Sequence, residues 1–577
     1  MKSNKLILIA ILIIAAFLRL YKISVVPVSL FGDELDVGYH AYSILKTGRD
    51  YQGNFMPLHF HSMAEWRTPL YLYSAVPTVA AFGITPLGVR LPAVIFGVLG
   101  VLGIYLLVKE LLSCNQKPAK KHSPALLSAL FLAISPWHLQ YSRAGFEVTM
   151  LLAFLIFGLF FFLRSLNNSK YLWISVTLLA FTPWIYNTAK LFTPLLMAFL
   201  IIIWGKEILK IQKKDLLKGV LAGLFAGLPI LISTVFGGGA QRAGYTSVFT
   251  DPVTAPEIGD ARMMDILRRG KPILESKTVF WDRFFHNKLS SWVIKIGDNY
   301  VNSFSFNYLF SEGDSNLRHS PFGMGQFYKI EILSFIAGLL LFFSGTSDKK
   351  IKYLIVFWLL AGALPSALTR DGGNHATRLI LILPPLILLI SYGLVDLSRR
   401  LKLNLRYIFL TTYFLLLTTN FVFYLHNYYV HYPWQSENWW HAGIKESVQS
   451  IKQKESRYDK VVLSMSGEPM WIFFAAWSEY PPEKWQREFP VGNDIELPGF
   501  GRVSHIDKYY FGTFNVPGKS IYDLGQFIDA KTLYMANANE IGANLLLERE
   551  RTPNDLKLID AISYPSGAPA YYLFSGR

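Results

Sequence analysis

About eleven apolar runs, each close to the length that crosses roughly 30 Å of hydrocarbon, constrain this chain more than any other feature. They fall near residues 6–26, 87–109, 124–139, 147–165, 171–186, 190–205, 216–235, 328–345, 351–369, 376–396 and 407–427. With the N-terminus inside, the cytoplasmic loops become "KELLSCNQKPAKKH", "RSLNNSK", "GKEILKIQKKDLLK", "GTSDKKIK" and "SRRLKLNLR". All are basic, as the positive-inside rule requires. The stretch "TPLYLYSAVPTVAAFGI", residues 68–84, is apolar enough to span, but counting it would put every basic loop outside. It is read instead as a helix lying in the interface or re-entering, with Pro69 and Pro77 limiting its regularity.

Composition agrees. Of the 577 residues, 52% are hydrophobic and only 17% charged, too apolar for a water-soluble surface. The net charge of +16 resides mostly in the short gaps between apolar runs, so its neighbours are anionic lipid head groups and not nucleic acid. Cys114 is the single cysteine, which excludes an intrachain disulfide and a thiolate metal cluster. Lys2 and Lys5 before an apolar core imitate a signal peptide. No small-x-small cleavage site follows, and Arg19, Tyr21 and Lys22 close the run like an interfacial anchor, so it reads as a retained first span.

The expected architecture is therefore a polytopic α-helical membrane protein. Residues 1–427 form the membrane part, with a first external loop at 27–86 carrying interfacial helices and a large external loop at 236–327. Residues 428–577 mix strand-like "YDKVVLSMS" with helix-like "WWHAGIKESVQSIKQ" and turn signals such as "VPGKS". They read as a small external α/β domain, of a size within the usual domain range. No internal repeat and no glycine-rich phosphate cradle is present.

Sorted by side, Asp33, Glu34, Arg143, Glu147, Lys190, Arg318, His319, His375 and Arg378 all fall externally, at or near the ends of spans. A cavity built from them suits a lipid-linked anion: apolar walls for the tail, Arg and Lys for a phosphate, a carboxylate for proton work. Each residue also has an ordinary reading. Asp33 fits the N-cap of the helix "ELDVGYHAYSILKTG", whose Val37, Ala41, Ile44 and Leu45 form an apolar stripe that stops at Gly48. Arg143 and Lys190 fit snorkelling interfacial cations, and lone loop histidines serve many roles besides metal binding. These separate readings leave the gathering on one side unexplained.

The segment "GDELDVGYHAYSILKTGRDYQGNFMPL" resembles the first external loop of C-type glycosyltransferases that use polyprenyl-phosphate sugars. The nearest branch is family 39-like, which includes protein O-mannosyltransferases and the lipid A aminoarabinose transferase. "RTPLYLY", "SPWHLQYSRAGFE", "YNTAKLFTPLL", "FNYLFSEGDSNLRH" and "GNHATRLILILPPL" continue the resemblance in order across residues 5–430. It implies an inverting transfer of sugar to an acceptor hydroxyl on the external side of the plasma membrane. Asp33 would be the base and Glu34 its partner, orienting the acceptor or Asp33 itself. Arg143, Lys190, Arg318 and Arg378 would hold the lipid phosphate.

The family's lysine and double proline appear here as Arg67 and Thr68-Pro69. Some relatives bind a divalent metal in this region, and Glu65 with His319 or His375 would be the ligands here; no cofactor is otherwise implied. Protein, glycan and lipid all stay open as acceptor. The competing reading is a transporter or flippase of lipid-linked sugars, whose phosphate pocket needs similar cations; such proteins often carry internal repeats, which are missing.

Overall fold

The computed structural model describes residues 2–63, 65–112, 118–269, 278–345, 348–489 and 494–577; side chains at 2–3 and 118–122 are outside this set. Cys114 lies outside the described residues. In chain order the first helices are α1 (Lys2–Leu20), α2 (Gly32–Thr47), α3 (Pro69–Phe82), α4 (Pro86–Leu111) and α5 (Pro118–Ile134). Then come α6 (Pro136–Ser142), α7 (Val148–Ser165), α8 (Leu172–Phe181), α9 (Ala189–Ile208) and α10 (Lys213–Phe236). The large loop folds into α11 (Gln241–Thr246), α12 (Thr254–Arg268), α13 (Phe280–Phe285) and α14 (Lys288–Asn302). After it run α15 (Glu331–Ser344), α16 (Lys349–Ala367), α17 (Ala376–Leu379), α18 (Leu383–Arg400) and α19 (Leu403–His426).

Every apolar run expected from the sequence is helical over most of its length, because in hydrocarbon a backbone can satisfy its polar groups only within itself. Among the described residues, 7 helices have the length and apolarity to cross a bilayer. The expected runs outside that set are α1, α5, α15 and α8, the last 10 residues long and passing into a 3₁₀ turn at Thr182–Trp184 around Pro183. The stretch read as interfacial or re-entrant forms α3, whose 14 residues span about 21 Å at 1.5 Å per residue, short of the bilayer core.

Close helix packing depends on small residues. A Cβ on Gly338 of α15 would lie 2.1 Å from the Leu389 carbonyl oxygen of α18, and one on Gly393 of α18 would lie 2.0 Å from the Ser334 oxygen. Backbone cannot retreat as a flexible side chain can. Gly338→Val is therefore expected to cost about 1–3 kcal/mol or more through overpacking, read as a lowered melting temperature of the purified protein.

The helix of α19 runs past residue 427 through α20 (Tyr432–Gln435), so the extramembrane domain stands on a continuous stalk. Strands β1 (Phe60–His61) and β2 (Trp66–Arg67) form a small antiparallel hairpin in the first loop. The C-terminal sheet comprises β3 (Lys460–Leu463), β4 (Asp494–Leu497), β5 (Gly501–Ile506), β6 (Tyr509–Phe511), β7 (Thr532–Asn537), β8 (Leu556–Ser563) and β9 (Pro569–Gly576). Its order is β4-β5-β6-β3-β7-β9-β8, with β3 parallel to β6 and β7 and the outer pairs antiparallel.

Helices α21 (Ile444–Lys454), α22 (Met470–Trp477) and α23 (Pro482–Glu488) accompany this sheet, and α22 and α23 pack on α2. Tyr39 donates to the Tyr480 carbonyl at 2.9 Å. Gln486 Nε2 donates to Ser43 Oγ, Thr47 Oγ1 and the Asp50 carbonyl at 2.8–3.0 Å. The C-terminal domain thus grips the helix that carries the acidic pair.

Candidate active site

Helix α2 starts at Gly32, with Phe31 as the N-cap residue in extended conformation and no side-chain cap. Asp33 is therefore not the cap: it and Glu34 occupy the first turn, where the positive end of the helix dipole favours carboxylates. Gly48, at φ 70°, closes the helix in the left-handed region.

Glu34 is fully buried and paired. Arg90 Nε and Nη2 bind its two oxygens at 2.7 and 2.9 Å, and the Gly145 amide donates to Oε1 at 2.7 Å. Arg90 also donates to the carbonyls of Ile23, Pro27 and Ser29 at 2.6–3.1 Å. This ion pair joins α2, α4, the first loop and the corner before α7. Its geometry is that of a strut.

Asp36, one helical turn on from Asp33, accepts from Tyr51 at 2.7 Å, Ser62 at 2.6 Å and Arg67 at 3.2 Å. Burial raises its pKa against the pull of Arg67 and these hydroxyls. Arg67 further donates to Glu147 at 2.6 Å and to the Asp33 carbonyl at 2.9 Å. Burial opposes its charge, but Glu147, Asp33 and Asp36 outweigh that and lift its pKa. Glu65 pairs with Arg242 at 2.7 Å, and its pKa is raised by burial.

Asp33 is different. Its side chain is half-buried and makes no hydrogen bond or ion pair among the described residues, although its charge acts on Glu65, Arg67 and Arg242. A carboxylate left unpaired amid committed acids and cations is free to accept a proton.

The expected phosphate cations separate into three places. Lys190, at the start of α9, donates to His59 Nε2 at 3.1 Å and to the Gly239 carbonyl at 3.0 Å. Arg378 reaches Asp371 at 2.5 Å and Thr369 at 2.7 Å. These two and Arg242 line one cavity of ≈ 380 Å³ with Tyr186 and Thr369. Lys190 and Thr234 also end an apolar groove of ≈ 560 Å³ between α8, α9 and α10, lined by residues such as Leu179, Met197 and Leu224.

Arg143 is elsewhere. It is buried, with its guanidinium on the carbonyls of Leu18, Arg19 and Val26 at 2.6–3.1 Å and the Tyr428 hydroxyl at 3.3 Å. Arg318 lies between the rings of Phe31 and Trp439, 5.1 and 5.6 Å from their centroids, and its buried Nε has no partner among the described residues.

His319 and His375 come together, ring centroids 5.0 Å apart, and Asp314 joins them; one donor atom from each lies within 4.8 Å of the others. Burial, then His375 and the arginines Arg318 and Arg378, push the His319 pKa well down. Burial, Arg378 and Arg242 push that of His375 down to about 3. Both imidazoles are neutral at physiological pH, the state that binds metal. Glu65, the acid expected beside them, is held by Arg242 instead.

Sequence reading did not single out Arg90, Asp36, Arg242 or Asp314. Arg90 carried a signal, a lone arginine inside the apolar run "GVRLPAVIFGV". Arg242 in "GGGAQRAGY" carried none.

Residues 67–232 match the sequence profile of the dolichyl-phosphate-mannose-protein mannosyltransferase family. No curated protein sequence matches the chain significantly. Among solved structures, ArnT from Cupriavidus metallidurans bound to undecaprenyl phosphate is similar over 98% of this chain and 97% of that one, with 9% identity and a TM-score of 0.50. The oligosaccharyltransferase AglB from Archaeoglobus fulgidus, in complex with an inhibitory peptide and a dolichol-phosphate, is similar over 82% of this chain and 63% of its own, with 13% identity and a TM-score of 0.46. The present chain thus spans just under two thirds of the archaeal protein's length. The Pmt1–Pmt2 complex of S. cerevisiae is similar over 43% of this chain and 36% of its own, with 17% identity and a TM-score of 0.30.

The fold is that of the C-type, or GT-C, polytopic membrane proteins, carrying a C-terminal sheet domain. Within that class the chain is similar, over residues 67–232, to the mannosyltransferase family.

Proposed function

We propose that the protein moves a sugar from a polyprenyl-phosphate donor to an acceptor hydroxyl, with inversion, at a site on the external side of the plasma membrane. The observation that carries this reading is the unpaired Asp33 carboxylate, whose charge acts on Arg242 in the wall of a cavity that shares Lys190 and Thr234 with an apolar groove. The groove takes the isoprenoid tail, and Lys190, Arg242 and Arg378 take the phosphate. The undecaprenyl phosphate bound by the ArnT structure supports that donor class. The basic loops at the opposite ends of the spans support the external placement, with the N-terminus cytoplasmic.

In the step, Asp33 takes the proton of the acceptor hydroxyl as its oxygen attacks the anomeric carbon. The bond from that carbon to the phosphate oxygen breaks, and its electron pair stays on the phosphate. Because attack comes from the face opposite the leaving group, configuration inverts. Phosphate leaves without a general acid, since the cations stabilise the charge that develops on it. Arg67 holds the Asp33 carbonyl and so fixes the start of α2, while Glu147 and Asp36 hold Arg67.

The test incubates purified protein with labelled polyprenyl-phosphate sugars and cell-envelope fractions. Label in a protein, glycan or lipid acceptor is the expected result. Label that crosses vesicle membranes and enters no acceptor overturns the enzyme reading in favour of a flippase. Lys190→Ala removes one charge-assisted contact of about 1.5–3 kcal/mol. It is expected to weaken the donor's apparent KM by roughly tenfold to a hundredfold, measured by donor titration at saturating acceptor.

A further inference from the structure

We propose that Asp314, His319 and His375 form a divalent-cation site, zinc being the ion their chemistry favours, and that this ion clamps the turn before α15 to the corner before α17. Two imidazoles and one carboxylate are a borderline-soft N₂O set, and three protein ligands leave a fourth position for water or a substrate oxygen. One donor atom from each residue already lies within 4.8 Å of the others. Around zinc, bonds of about 2.0–2.1 Å bring ligand atoms to roughly 3.3 Å from one another, so a small inward rotation of the rings completes the set.

The surrounding groups are those that orient metal ligands. The amides of Asn316 and Ala376 each donate to Asp314 at 2.9 Å, fixing the carboxylate plane. Tyr141 and Thr377 hydroxyls meet at 2.7 Å, and Thr377 Oγ1 meets His319 Nδ1 at 3.2 Å. That relay sets the His319 ring and leaves Nε2 as its ligand atom. His375 Nδ1 is buried with no partner among the described residues, an orphan nitrogen that a metal would satisfy. Glu65 is excluded from this set by its ion pair with Arg242.

The clamp has a consequence. Arg318 immediately precedes His319, and Arg378 lies one helical turn beyond His375, so an ion shared by the two histidines fixes both arginines together. Its bearing on transfer rests on reading Arg378 as a phosphate contact; cation binding itself does not.

The test uses the full chain, purified in detergent without a polyhistidine tag and stripped with chelator. Titration with Co²⁺ is expected to give the visible bands of a tetrahedral ion at one equivalent, and added Zn²⁺ is expected to displace them. His319→Asn and His375→Gln, chosen to preserve shape, are expected to weaken Co²⁺ binding at least tenfold while the size-exclusion profile stays unchanged. Glu65→Gln is expected to bind like the parent. Absence of bands in the parent protein, unchanged binding in His375→Gln, or loss of binding in Glu65→Gln each overturns the site. None of these readouts depends on sugar transfer, so failure here and failure of the transferase reading are told apart.

Discussion

Asp33→Asn stops sugar transfer: kcat falls by about 10²–10⁴-fold, the range expected when a positioned general base is removed. Donor binding is expected to stay near the parent value, because the cations that line the proposed donor cavity are Lys190, Arg242 and Arg378. The amide occupies the same volume, and the helix keeps its start, since the capping position belongs to Phe31 and Arg67 contacts only the backbone of Asp33. Stability therefore changes little. The measurement is single-turnover transfer from a labelled polyprenyl-phosphate sugar, paired with a thermal melt of the same preparation. Parent-like turnover in the variant would remove Asp33 from the chemistry. A collapsed melt would instead mean that the carboxylate holds the fold.

The separation of Asp33 from Glu34 shows what sequence can and cannot reveal. The long helices were legible because hydrocarbon enforces long apolar runs. The acidic pair was legible as an anomaly, two charges just beyond a span. Which acid is committed to structure was not. That depends on Arg90, which the fold brings from 56 positions away to Glu34 while leaving Asp33 alone. The same limit applies to the cations. The expected topology put Arg143, Lys190, Arg318 and Arg378 on one side, yet of these four only Lys190 and Arg378 share a cavity. Arg143 answers three carbonyls around the end of α1, a partner set that no local pattern announces. Nothing in "SEGDSNLRH" marks Asp314 as a ligand, and its meeting with His375 comes from tertiary contact.

Glu34→Ala carries the largest expected effect on stability. It leaves the Arg90 guanidinium at 0% exposure without its counter-charge and orphans the Gly145 amide. Breaking a buried ion pair from one side costs about 3–5 kcal/mol, since the remaining charge keeps its desolvation penalty. A melting temperature lower by on the order of 10 °C follows, and accumulation in the membrane falls with it. Arg90→Met alone has a similar cost, because Ile23, Pro27 and Ser29 also lose their donor. The double variant Glu34→Leu, Arg90→Met is expected to be less damaging than the two single losses added together, the signature of a coupled pair. Its recovery is incomplete, because those three carbonyls and the Gly145 amide remain unanswered. The cycle is read from melts of purified protein in one detergent. Glu34→Ala that melts like the parent but fails to turn over would show that Glu34 acts on the substrate and not on the fold. A fully additive cycle would show that the two side chains, though 2.7 Å apart, do not depend on one another.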